Sequence, residues 1–259
     1  MKEASEALLN ADELKAKLDI LRPLSQTQTS RLKKLFDLDL TYNSNAIEGN
    51  TLTYSETKLV LREGITIGGK PLREHVEVTN HKAALDYIET LTKRAPYIVS
   101  EEEILHVHGL ILRGIDDNNA GRYRIEQVYV KRQNRVIQQF PESAMLPTLI
   151  QEMLREYRNR SSDLHPIELA ALFHLGLVKI HPFVDGNGRT ARLLMNLVLM
   201  QNGYPPAVIH IEDRVRYISS VEHYCDTGDA DIFIVMLVQS VIESLSTYIK
   251  TIEGNIVWE

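Results

Sequence analysis

A single cysteine, Cys225, occurs in 259 residues, which excludes an internal disulfide and suits a reducing compartment. The N-terminal stretch MKEASEALLNADELKAKL carries acids throughout and has no long apolar run, so it reads as neither a secretory signal nor a membrane anchor, and the expected location is cytoplasmic. No HExxH spacing and no Cys/His cluster is present, which argues against a zinc site. The pairs His106/His108 and His174/His181 do not make one, and His174, inside an apolar helix, is expected to be hydrogen-bonded in the core. The phosphate-loop spacing GxxxxGK(S/T) is absent, and so is any internal repeat. A formal charge of -6 leaves too few clustered cations for a nucleic-acid face or an anionic membrane surface, although a small basic pocket is compatible with it.

What is present is helical. Apolar residues make up 44% of the chain, enough for a real core. Periodicity and cap residues predict helices over Glu6–Leu21, Thr27–Ile47, Thr51–Glu63, Leu72–Lys93, Ser100–Arg113, Pro141–Arg160, Leu164–Ile180, Arg189–Gln201, Arg214–Cys225 and Asp231–Lys250. Thr53 with Glu56 and Ser100 with Glu103 have capping-box spacing. The only strong alternation is Gln127–Lys131 and Arg135–Gln138 around a polar turn, which reads as one hairpin. The expected fold is therefore all-α with one small β-hairpin.

The chain is organised around HPFVDGNGRTAR, residues His181 to Arg192. A buried helix delivers His181 at its C-terminal end, and Pro182 forbids easy continuation. Gly186, Asn187 and Gly188 then let successive N–H groups face one concavity at the start of the next core helix, where unpaired donors and the helix dipole favour an anion. Arg189 and Arg192 lie three apart and suit phosphate oxygens, while Asp185 beside them suits a divalent cation that accompanies phosphate.

These residues resemble the signature HPFx(D/E)GNGRxxR of the Fic family at every fixed position, and the likeness extends over roughly Ser100 to Ile249. Tracts such as LHPIELAA and LLMNLVLMQNGYPP resemble the helices flanking the motif in the catalytic half of the family's metazoan endoplasmic-reticulum member. The resemblance implies a Fic-fold helical bundle whose hairpin is a flap over the active site. It implies a protein adenylyltransferase that moves AMP from ATP to a hydroxyl side chain of a target protein. His181 would be the general base, and Asp185 would hold Mg2+, or Mn2+ in its place. Gly186, Asn187, Gly188, Arg189, Thr190 and Arg192 would hold the phosphates, and the flap residues Val130, Lys131, Arg132 and Gln133 would cover the nucleotide and receive the target by strand addition. Where the family places two tyrosines and an asparagine near the nucleoside, this chain has Tyr217, Ile218 and Cys225, so only the first is kept.

A second constellation, SNAIEGN at Ser44 to Asn50, resembles the family's inhibitory motif (S/T)xxxE(G/N). Glu48 falls in the last turn of a helix, where an acid opposes the dipole and needs a reason to be there. The resemblance supplies a partner, Arg192, with Glu48 occupying the γ-phosphate's place and Ser44 orienting it, and it implies removal of AMP as a second activity. Residues 1–95 would form the region bearing this motif and 96–259 the catalytic domain, with a homodimer left open. The alternatives are a Doc-type phosphotransferase, which usually carries Lys where Arg189 stands, and a non-catalytic nucleotide-sensing module.

Overall fold

Four helices begin where a side chain closes their first free N–H groups. Ser25, Thr53 and Ser100 each accept from the N–H three residues on, and Gln28, Glu56 and Glu103 return the contact to the cap. His165 does the same work with its ring, Nδ1 accepting from the Ile167 N–H at 3.2 Å, a cap that no sequence pattern announces.

The computed structural model describes residues 2–93, 99–132 and 137–254. In chain order its helices are α1 (Lys2–Ile20), α2 (Gln26–Ile47), α3 (Tyr54–Glu63), α4 (Leu72–Leu91), α5 (Glu101–Leu112), α6 (Leu146–Arg160), α7 (Pro166–Ile180), α8 (Asn187–Gln201), α9 (Arg214–Thr227) and α10 (Asp231–Ile252). The expected helix from Pro141 starts late: Ser143–Met145 is a 3-10 turn, and α6 follows it.

Helix α8 is the axis of the bundle, buried along most of its length from Asn187 to Leu199, with α2, α4, α5 and α7 packed around it. Helix α1 lies along α10 at the far side, and one continuous core joins Ala11 and Leu18 to Leu237 and Leu245. By length and composition α10 would reach across a membrane, but Phe233, Leu237, Val238, Val241 and Leu245 are buried in this core, as the apolar side of a core helix should be.

The hairpin consists of β1 (Tyr129–Lys131) paired antiparallel with β2 (Ile137–Gln139), Tyr129 opposite Gln139. This ladder begins two residues later than the alternation predicts. Gln127 turns its side-chain amide to the Phe140 carbonyl at 2.8 Å, and Pro141 has no N–H to donate, so pairing stops there. Of the expected turn Arg132–Asn134, Gln133 and Asn134 lie outside the described residues, as does Arg135 at the expected start of the second strand.

Candidate active site

Helix α7 ends on His181 in the left-handed region (φ 51°), with its N–H donating to the Leu177 carbonyl at 3.0 Å. It is the only non-glycine residue at positive φ among those described, a conformation that costs about 1 kcal/mol or more. The loop that follows is braced from within. Asn187 accepts from the Phe183 N–H (3.0 Å) and donates to the Phe183 carbonyl (2.8 Å). His108 accepts the Gly121 N–H at Nδ1 (3.0 Å), so Nε2 carries the proton and donates to the Asp185 carbonyl (3.0 Å), while its ring stacks on Phe183 at 3.6 Å. Gly186 sits at the helix N-cap with φ 78°, and no side chain caps α8. The first-turn N–H groups of α8 are thus left to face whatever lies above Gly188.

What lies there is a carboxylate. A Cβ on Gly188 would collide with Glu48 Oε1, so Glu48 comes close over the start of α8 and would have to move aside for any larger residue there. Glu48 is reached by Arg192 Nη2 at 2.8 Å, and the arginine side chain is only 5% exposed against 40% for the glutamate. Three further donors of Arg192 are engaged: Nε with Ser44 Oγ (3.0 Å), Nη2 with Ser44 O (2.8 Å) and Nη1 with the Tyr217 hydroxyl (3.1 Å). Ser44 therefore grips Arg192, where the resemblance had it orienting Glu48.

Electrostatics separate the two titratable groups of the loop. Burial pushes the His181 imidazole down to about 4, and the Arg124 charge acts in the same direction; the Val178 carbonyl, Glu48 and Asp185 oppose it. The ring is neutral near physiological pH. Burial would raise the Asp185 carboxyl, but Arg189, the Gly186 N–H and Arg73 outweigh it and hold the group below its usual range. Arg73 Nη2 stands 2.9 Å from Asp185 Oδ2 and Arg189 Nη2 stands 3.2 Å from Oδ1, while Glu77 holds Arg73 from behind at 3.1 Å.

The comparisons with known proteins agree with this loop. A sequence profile of the Fic/DOC family matches residues 98–199. The solved structure of a Fic domain-containing signaling protein from Bacteroides thetaiotaomicron superposes with a TM-score of 0.91 at 33% identity, covering 96% of this chain and 99% of that one. The chain belongs to the Fic family. Fic-1 of Caenorhabditis elegans has a solved structure (residues 134–508) that superposes at 0.82 and 33% identity, covering 98% of this chain and 74% of that one. By sequence, protein adenylyltransferase fic-1 of Caenorhabditis elegans is 38% identical over 224 residues, covering 83% of this chain and 42% of the relative. Protein adenylyltransferase Fic of Nematostella vectensis is 36% identical over 218 residues, covering 81% and 48%. This Fic chain spans less than half the length of the curated relatives it matches.

The Fic loop brings together His181, Asp185, Gly186, Asn187, Gly188, Arg189 and Arg192 with Ser44 and Glu48 of α2. Arg189 is buried, and among the described residues its Nε has no hydrogen-bond partner, a donor held in reserve. Thr190 is wholly inside, with its N–H on the Gly186 carbonyl at 3.0 Å. Tyr217 is also buried: its ring lies against Phe233 and His174, and its hydroxyl contacts Arg192 and His174 Nε2 (3.0 Å), so in this state it offers no stacking face to a base. Ile218, next to it, packs against the core. On the flap Val130 is exposed, Lys131 joins the ladder through its backbone, and Arg132 is taken by Asp226 of α9 at 2.7 Å. Gln133 lies outside the described residues. Sequence reasoning missed Arg73 and Arg124 and considered His108 only as a metal ligand. None has a local pattern, since each reaches the loop from a distant segment.

Proposed function

We propose that this Fic chain transfers AMP from ATP to a hydroxyl side chain of a protein target and restrains itself through Glu48. One observation carries the reading: a neutral histidine borders an uncapped helix N-terminus whose anion position is already filled by a carboxylate paired to a buried arginine. A carboxylate on Arg192 and over Gly188 is chemically a stand-in for a terminal phosphate.

With ATP in that cradle, His181 accepts the proton of the target hydroxyl and the oxygen attacks the α-phosphorus. The bond between the α-phosphorus and the bridging oxygen to the β-phosphate breaks, a phosphodiester forms, and pyrophosphate leaves. Arg189, Arg192 and the first-turn N–H groups of α8 stabilise the charge that develops on the phosphates. Asp185 fits a divalent cation: it is held ionised, and its side chain is 45% exposed. Among the described residues no group of three acids, histidines or cysteines would hold a metal alone, which suits Mg2+ or Mn2+ arriving with phosphate oxygens and water. When bound there, the cation would neutralise phosphate charge. The target would add an extended segment to the flap, where Tyr129 and Val130 are exposed. Glu48 also suits placing a water against an AMP phosphodiester, which would make AMP removal a second activity of the same site.

The test is incubation of the protein and its Glu48→Gly variant with α-labelled and γ-labelled ATP. Label transferred from the α position, and lost in His181→Ala while nucleotide still binds, is the expected result. Transfer from the γ position, or a His181→Ala rate within twofold of the parent, overturns it.

A further inference from the structure

Among the described residues Arg124 is the largest fully buried side chain, 1% exposed, and no acid pairs with it. Its guanidinium is spent on three backbone carbonyls: Nε donates to His181 (3.0 Å), Nη1 to Glu126 (3.0 Å) and Nη2 to Pro141 (2.5 Å). Its own N–H donates to the Pro182 carbonyl at 3.0 Å. These acceptors belong to three separate segments: the left-handed turn that ends α7, the approach to β1, and the exit from β2. Burying a charge without a counter-ion is costly, and an apolar side chain would fill the space more cheaply. A planar fork that reaches three carbonyls at once does something a filler cannot. The residue just before Pro141 makes a second link, because the Phe140 ring stacks on the His181 imidazole at 4.0 Å and 17°. Both ends of the flap are thereby attached to the residue whose ring borders the anion cradle.

We propose that Arg124 is a positioning residue that locks the His181 turn to the base of the flap, fixing the distance between the proton acceptor and the strand that would register a target hydroxyl. The inference rests on His181 being the general base. Geometry of this kind is worth a great deal, since misplacing a reacting group by about 1 Å costs on the order of a hundredfold in rate. Arg124 is buried with its guanidinium turned to backbone carbonyls rather than to the open cradle, so its loss should act on turnover and leave ground-state binding of ATP alone.

The experiment places Arg124→Lys and Arg124→Met in the Glu48→Gly background and reads five quantities: melting temperature, affinity for a non-hydrolysable ATP analogue, kcat and KM for AMP transfer, and the His181 pKa by NMR of labelled histidine. The charged groups that act on that imidazole are Arg124, Glu48 and Asp185, and with Glu48 removed, Arg124 and Asp185 remain. Arg124→Met should raise the His181 pKa, whereas Arg124→Lys, which keeps the charge but reaches fewer carbonyls, should leave it near the parent's. Both should lower kcat about tenfold or more while nucleotide affinity stays within about twofold. Added guanidinium should restore part of the rate to a variant with the side chain truncated, Arg124→Ala. Phe140→Leu, which keeps Arg124 and removes the stacked ring, should show the same selective loss of kcat and covers the case in which Arg124 variants fail to fold. Unchanged kcat in Phe140→Leu or in a folded Arg124 variant, or equal losses of affinity and kcat, would overturn the proposal. Absence of AMP transfer by Glu48→Gly itself would instead refute the underlying reading; the chemical shifts of the His181 ring, which the stacked Phe140 ring displaces, then still test the lock, and ring shifts unchanged in both Arg124→Met and Arg124→Lys overturn it.

Discussion

Replacing Glu48 by glycine isolates one contact. The Glu48–Arg192 pair is a charge-assisted hydrogen bond of 2.8 Å, a class worth about 1.5–3 kcal/mol. The glutamate side chain is 40% exposed, so solvent screening reduces its share, and about 1–2 kcal/mol is the figure to expect. If that contact competes with seating of the ATP terminal phosphate, its removal raises the competent fraction by roughly 5- to 30-fold. Arg192 itself should not collapse, because Ser44 O, Ser44 Oγ and the Tyr217 hydroxyl continue to hold it. The assay is the initial rate of AMP incorporation from α-labelled ATP, into the protein itself and into a target, for the parent, Glu48→Gln and Glu48→Gly. The rate should rise in that order, since the amide keeps a neutral hydrogen bond to Arg192 and loses the charge. Ser44→Ala should have a smaller effect, because the backbone contact to Arg192 survives. On a pre-modified target Glu48→Gly should lose AMP removal. A Glu48→Gly rate within twofold of the parent would refute the competition argument, and undiminished removal would refute the role in hydrolysis.

Asp185→Ala should abolish metal-dependent transfer, whereas Arg73→Ala should lower the Mn2+ concentration for half-maximal binding, read by paramagnetic resonance, by a few-fold, since an exposed ion pair is worth up to about 1 kcal/mol; weaker Mn2+ binding in Arg73→Ala would show that the arginine assists the cation. Arg132→Ala, which frees the flap from Asp226, should raise the KM for a protein target and leave nucleotide affinity unchanged, and equal losses would make the flap a nucleotide lid. The chain should lose stability as the pH falls from 6.5 to about 3. His81, His108, His174 and His181 are all depressed by burial, to about 3, 4, 3 and 4, so the unfolded chain binds protons that the folded one refuses. Each group contributes a slope of about 1.4 kcal/mol per pH unit within its window. Urea melts at pH 7 and pH 5 should differ by several kcal/mol, and coincident curves would contradict the burial of these rings.

Much of the fold is written in short-range chemistry. Capping boxes at Thr53 and Ser100 and the apolar periodicity of α7 and α8 place helix ends to within a few residues, because the interactions that make them span three or four positions. The motif loop is legible for the same reason: proline stops one helix, glycines open the next, and an anion cradle follows from the backbone alone. The pairing of Glu48 with Arg192 was reachable only by resemblance, since 144 positions separate the partners. What holds the loop in shape had no sign in the sequence. Arg124 is bound to carbonyls 57 and 17 positions away, His108 to one 77 away, and Arg73 to a carboxylate 112 away. Backbone carbonyls are the same at every residue, so a side chain that binds them leaves no complementary partner type to look for. Only the packing of α4 and α5 against α8, and of the flap base against the His181 turn, decides which carbonyls, and which carboxylate, these side chains can reach.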